Sequence, residues 1–330
     1  MTRPEGSVWP PRASEAAVAE LARRFHLDTA TTSPSTLEHL NWAVEHFGQA
    51  YLTTPPGELV EEVMRYERWV RELLAGNHTP SQAAELSVRL GYLNGVLASL
   101  SFALGDHAAA QAYCATALGI AEEIGHGRLK AWVLSTECQV ATYHADHQRV
   151  IDLTEAGLAV THGTPTFAAV KLASLQAKAY ASLGNRRAAE DALAEARRSL
   201  ARVPPEEQVG GLFSFPEEKL ASHEGDVYLR LGEPRRAQEA LWRALTLLDR
   251  ATGPRRSPVD QAMVHLHLAQ ASLQLGEVEE AGRLGIEALA FHAARPSDPT
   301  IRRARRLAAM LQQYKSLPAV RDFLERLDAA

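Results

Sequence analysis

Only five of the 35 basic residues are lysines, and three of these, Lys171, Lys178 and Lys219, stand beside small hydroxyl residues. Lys171 and Lys178 are seven residues apart, two turns along one face of a helix, with Ser174 between them. Lys219 is followed at the same helical spacing by Ser222 and then by Asp226. Ammonium and hydroxyl groups gathered in this way hold a carboxylate or phosphate through charge-assisted hydrogen bonds. The alternative is that these lysines are solvated, or paired with Asp226 and neighbouring acids. Other chemistry is absent from the chain: it has no GxSxG, no glycine-rich phosphate loop, no HExxH and no paired-cysteine zinc pattern. His265 and His267 point about 200° apart on a helix and cannot share a metal. Cys114 and Cys138 have no neighbour at ligand spacing and read as buried thiols in a reducing compartment. Catalysis, a bound metal and a cofactor are therefore not expected.

Charge and composition narrow the partners. Across 330 residues the net charge is −5, and no third of the chain carries the basic excess of a nucleic-acid-binding domain. No apolar run approaches the ~18 residues of a membrane span. The first residues, MTRPEGSVWPP, lack the apolar core of an export signal. These features point to a cytoplasmic protein that does not enter membranes.

The elements that must carry the lysines are helices throughout, because apolar residues recur at helical spacing and no alternating strand pattern occurs. A helix-closing glycine, once an alanine, followed by a polar cap recurs at Gly105-Asp106, Ala145-Asp146, Gly184-Asn185, Gly232-Glu233 and Gly276-Glu277. Four of these turns are followed by alanine five and twelve residues later: Ala110 and Ala117, Ala189 and Ala196, Ala237 and Ala244, Ala281 and Ala288. The Ala145 copy carries Val150 and Gly157 instead. Helix openings of hydroxyl or acid plus proline stand at Thr54-Pro55, Thr79-Pro80, Thr164-Pro165, Ser257-Pro258 and Asp298-Pro299. Residues 1–36 form an N-terminal segment with one expected helix, Ser14–Phe25, and residues 37–330 carry the repeats. Within Val203–Glu217, Leu212, Phe213 and Phe215 suggest either a lid over a groove or a packing staple. Arginine pairs along the second helices read as solvated, and only the group at Arg302, Arg303, Arg305 and Arg306 is dense enough for an acidic partner. Two further helices, ending near Gln313 and Leu327, close the array.

The segment VKLASLQAKAYASLGNRRAAEDALAEARRSLARV resembles a tetratricopeptide repeat (TPR), with Ala177, Tyr180, Gly184, Ala189 and Ala196 at the skeleton positions. The resemblance implies an all-α, TPR-like right-handed helical-hairpin solenoid of about five hairpins with additional N- and C-terminal helices. In such an array the first helix of each hairpin lines a concave groove. Counting back from the closing residues places Tyr92, Gly95, Ser99, Trp132, Ser135, Gln139, Lys171, Ser174, Lys178, Lys219, Ser222, Asp226, Met263, Leu266 and Gln270 on that surface.

From about Thr36 onward the chain resembles the TPR tail of actinobacterial helix-turn-helix regulators of the XRE type. The resemblance is carried by LGYLNGVLASLSFALGDHAAAQAYCATAL, GHGRLKAWVLSTECQV, LGNRRAAEDALAEA and FSFPEEKLASHEGDVYLRLGEPRRAQEAL. It implies a regulatory protein whose groove takes a peptide or protein partner, and it is compatible with a small-molecule ligand and with a homodimer. The residues before the first repeat are too few for a complete DNA-binding domain, so direct nucleic-acid binding is not expected. The alternative is a ligand-responsive transcriptional regulator acting through a partner or through the 14–28 helix.

Overall fold

The structure, a computed structural model, describes residues 32–204, 211–251 and 257–330. The expected helix at Ser14–Phe25 and the centre of the Val203–Glu217 loop lie outside the described residues. Among the described residues there are fourteen α-helices and no strand. An N-terminal pair, α1 (Pro34–Ala50) and α2 (Pro56–Ala75), leads into five hairpins. These are α3 (Pro80–Leu104) with α4 (His107–Glu123), α5 (Gly127–Tyr143) with α6 (His147–Thr161), and α7 (Phe167–Ser182) with α8 (Arg186–Leu200). They continue as α9 (Glu217–Arg230) with α10 (Pro234–Arg250), and α11 (Pro258–Gln274) with α12 (Val278–Ala294). Helices α13 (Asp298–Leu311) and α14 (Pro318–Asp328) end the chain. No helix among the described residues is long and apolar enough to cross a membrane.

Three of the five hairpin turns are built from two residues with separate tasks; in the other two, Glu233 and Glu277 make no side-chain cap hydrogen bond. At Gly184, φ is +73°, a left-handed conformation that reverses the chain so that the Asn185 N–H reaches back to the Tyr180 carbonyl at 2.9 Å. The Asn185 side chain then accepts from the Ala188 N–H at 3.2 Å and opens the next helix. Asp106 and Asp146 cap their helices in the same manner, accepting from Ala109 and Arg149. Ala145 adopts φ +57° without glycine's freedom.

The helix openings match the expected punctuation at two sites and differ at three. Thr79 forms a reciprocal capping box with Gln82, and Ser257 caps α11. At Thr164-Pro165 the helix starts later, because the Thr166 hydroxyl takes the Ala169 N–H at 3.2 Å. Pro55 itself occupies the cap position of α2 and leaves Thr54 outside it. Asp298 is already helical, with Ser297 at the cap.

Small residues set how closely the paired helices approach. Ala110, Ala117, Ala189, Ala196, Ala237 and Ala244 are fully buried. A Cβ on Gly225 would lie 2.4 Å from Leu241, and one on Gly157 2.6 Å from Leu172. Larger residues there would push the pairs apart, at a cost of about 1–3 kcal/mol each.

Stacking of the hairpins curves the array until its ends meet. Helix α13 reaches α3, where the Asp298 carboxylate lies against Gly105. Asp298 also accepts from the Tyr143 hydroxyl at 2.6 Å, and the Arg302 guanidinium lies 4.7 Å over the Tyr143 ring. Arg295, between α12 and α13, donates to the Tyr51 carbonyl at 2.8 Å.

Replacing Ala145 with glycine relieves the left-handed strain of a residue bearing a Cβ. Its expected effect is a gain of about 1 kcal/mol, read as a higher midpoint in urea denaturation. An unchanged or lower midpoint would show that this turn is unstrained.

Candidate functional site

The concave side of the array holds a cavity of about 260 Å³. The first helices of successive hairpins supply its walls. Helix α5 contributes Gln139, Thr142 and Tyr143, and α7 contributes Lys171, Leu175 and Lys178. Helix α9 brings Lys219, Ser222, His223, Asp226 and Arg230; α11 brings Asp260, Met263 and His267. Helix α13 closes one side with Arg302, Arg303 and Arg306, and Arg295 lies just before it. The lining therefore carries three lysines and five arginines against two aspartates.

One carboxylate organises three of these cations. Asp226 accepts from Arg230 through both oxygens, at 3.1 and 3.2 Å, with Lys178 at 3.3 Å and Arg303 at 3.8 Å. Burial alone would raise its carboxyl, but Arg230, Lys178 and Arg303 together hold it well below the ordinary range. Lys219 has a longer contact, 3.8 Å, with Asp260.

Lys171 is placed differently. It is buried, its ammonium donates to Gln139 Oε1 at 2.9 Å, and no carboxylate among the described residues lies within ion-pair distance. Burial and then the charge of Lys219 lower its pKa to about 7. Lys178 falls less, to about 8, because Asp226 partly offsets the effect of burial. His223 and His267 are driven well below the usual histidine range, by burial first and then by cations around them. Both imidazoles are therefore neutral at pH 7.

The structure brings seven of the groove positions into this cavity: Gln139, Lys171, Lys178, Lys219, Ser222, Asp226 and Met263. Tyr92, Gly95, Ser99, Trp132, Ser135, Ser174, Leu266 and Gln270 do not line it. The Trp132 ring lies flat against α3 because Gly95 offers no side chain; a Cβ there would fall 2.1 Å from the indole. Phe213 covers the same indole, with ring centroids 4.8 Å apart, and meets Tyr92 edge-on. Ser135 turns back to the Trp132 carbonyl, and Ser174 is held between the Lys171 carbonyl and His223.

The Leu212–Phe215 segment packs against the first hairpins and borders the cavity. Phe213 is a staple, and the Leu212 N–H donates to the Gly48 carbonyl at 2.7 Å. Leu212, Ser214 and Phe215 form part of the cavity wall. Arg302, Arg303 and Arg306 line the cavity because α13 folds across the groove, whereas Arg305 does not, and Arg302, Arg305 and Arg306 are exposed.

Sequence reasoning missed Arg230, His223 and Arg295. Arg230 carried a signal, standing four residues after Asp226 on the same helix face. Arg295 carried none, since it lies between helices and enters the groove only because the array curves back on itself.

His265 bonds the Gln261 carbonyl and faces Glu287, whereas His267 faces the cavity. Among the described residues no cluster could hold a metal ion. Both cysteines are free and buried, and burial pushes each thiol up to about 12.

No family model matches the chain, and no curated protein matches it. Solved structures do, and they place the fold among TPR-like arrays of helical hairpins. The structure of NprR in complex with its cognate peptide NprX aligns over 96% of this chain and 83% of its own, with a TM-score of 0.56 and 14% identity. The crystal structure of BtubC (BKLC) from P. vanneervenii covers 73% of this chain and 92% of its own, with a TM-score of 0.50 and 17% identity. At these identities the likeness concerns architecture.

A lysine whose folded pKa lies near 7 binds fewer protons than the unfolded chain between that value and its ordinary 10.5. Lys171 therefore penalises folding fully below pH 7, and the penalty fades as pH rises toward 10. Lys171→Met is expected to stabilise the protein at pH 6.5 and to gain less at pH 9, measured by urea denaturation at the two pH values. Equal gains at both would place the ammonium in a solvated environment.

Proposed function

We propose that this protein is a non-catalytic interaction protein of regulatory type, which binds a ligand in its concave groove and anchors an anionic group of that ligand on Lys171, Lys178 and Lys219. The observation that carries the reading is the buried Lys171 ammonium, which faces the cavity and has no carboxylate among the described residues within ion-pair distance. A buried ion of this kind is tolerated when something supplies the opposite charge. The cavity lining is otherwise suited to recognition: a few convergent polar groups, with Phe215, Leu175 and Met263 as apolar walls. NprR is a protein of similar architecture whose solved complex contains a cognate peptide. By analogy, a peptide or protein segment is the first class of ligand to try. The partner or target that a bound ligand would act through is not assigned.

An array of acidic peptides with free C-terminal carboxylates tests this reading. Replacing Lys171, Lys178 and Lys219 together with alanine is expected to weaken capture at least tenfold, or about 1.4 kcal/mol, while circular dichroism remains helical. Capture that survives the triple replacement would remove the anion site from the mechanism. The protein alone is expected to give no sequence-specific gel shift, and such a shift would favour direct DNA recognition.

A further inference from the structure

Arg295 lines the same cavity as the predicted groove positions and is more deeply buried than Lys171, at 1% exposure. Its Nε donates to the Tyr51 carbonyl, and its guanidinium lies 4.8 Å from the Tyr51 ring centre. Its Nη2 has no hydrogen-bond partner, and among the described residues no carboxylate lies within ion-pair distance. Guanidinium N–H groups buried without acceptors are costly, and the planar fork matches a carboxylate or phosphate. His267, 2% exposed and facing the same cavity, also leaves both ring nitrogens without hydrogen bonds.

The acids present are already committed elsewhere. Asp226 serves Arg230, Lys178 and Arg303, and Asp260 stands near Lys219. Among the described residues, Lys171 and Arg295 remain, each without a carboxylate within ion-pair distance, on different elements of one cavity. Two cations on separate walls call for more than one negative group.

Size and enclosure limit what can carry those groups. About 260 Å³ falls just below the roughly 300–1,000 Å³ of pockets for drug-sized molecules. The Leu212–Phe215 segment walls one side, and the contacts of Arg295 and Asp298 with the first hairpins wall another. An extended peptide advances about 3.3 Å per residue and needs an open channel. The exposed members of the lining are Arg302 and Arg306, two further cations.

We propose that the cavity takes a compact, free small molecule bearing at least two anionic groups, one received by Lys171 and another by Arg295. This rests on the groove reading above and narrows it from an acidic peptide to a phosphorylated or polycarboxylate metabolite. His267 contributes a neutral donor or acceptor to the uncharged part of the ligand. Phosphoryl and carboxylate groups share the recognition chemistry, so separate probes must distinguish them.

The test is thermal denaturation and titration calorimetry of the full chain with pyrophosphate and with citrate, against acetate at matched ionic strength. At least one of the two polyanions is expected to raise the melting temperature saturably, whereas acetate does not. Preference for pyrophosphate assigns a phosphoryl ligand, and preference for citrate a polycarboxylate. Lys171→Met and Arg295→Met are each expected to weaken binding at least tenfold. Arg295→Lys, which keeps the charge, retains part of it, and the exposed Lys315→Met leaves it unchanged. If Arg295→Met does not fold, the Lys171→Met and Arg295→Lys titrations decide.

Absence of saturable stabilisation by either polyanion, or wild-type affinity in Lys171→Met, overturns the proposal. If an acidic peptide binds through Lys171 while both polyanions fail, the compact ligand is wrong and the groove reading stands. If peptide and polyanions all fail, both readings fall.

Discussion

Asp226 is a buried carboxylate that balances Arg230, Lys178 and Arg303, and the groove depends on that balance. Removing a charge of this kind would leave three cations facing one another in a low-dielectric space, where repulsion is poorly screened. Its partners come from α7, α9 and α13, so the interaction also joins helices far apart in the chain. Arg230 bridges further, to the Ser182 hydroxyl at 2.6 Å on α7. One acid thus holds three walls of the cavity together. It does so without neutralising the cavity as a whole.

That arrangement is possible because the helix pairs are close and rigid. The buried alanines and the turn geometry at Gly184 fix the register of α7 against α8, which directs Lys171 and Lys178 inward from positions two turns apart on one face. The same close approach repeats at Gly225 and Leu241, setting Lys219, Ser222 and Asp226 on the next helix. The side chains that carry charge are long and flexible, but their starting points are set by residues with almost no side chain. Packing therefore controls the electrostatics.

Most of the architecture was legible because its determinants are local. A turn at Gly105 or Gly276 and a cap at Asp106 are each decided within a few residues, so their pattern survives in the sequence. The groove was legible in part for the same reason: helical phase relative to each turn predicts that Lys171, Lys178 and Asp226 face inward. Phase alone does not reveal what then covers an inward residue. Trp132 points toward the groove side but is claimed by Gly95 and Phe213, the latter arriving from a loop more than eighty positions later. Arg295 and the 302–306 arginines were unreadable as cavity residues because their place depends on the accumulated curvature of five hairpins. No short window of sequence records that quantity.

The contact between Arg295 and Tyr51 joins residues 244 positions apart. An open solenoid behaves as a one-dimensional chain in which each repeat feels only its neighbours and the terminal repeats fray first. Here Arg295, at the end of the last hairpin, reaches the N-terminal pair, and α13 beyond it rests on α3, so the linear series becomes a closed circuit of contacts. Loss of order at one end must break bonds at the other, which raises the cooperativity of the array and makes its folding depend on contacts of large sequence separation. The array is thereby closer to a single globular unit than to a string of independent repeats.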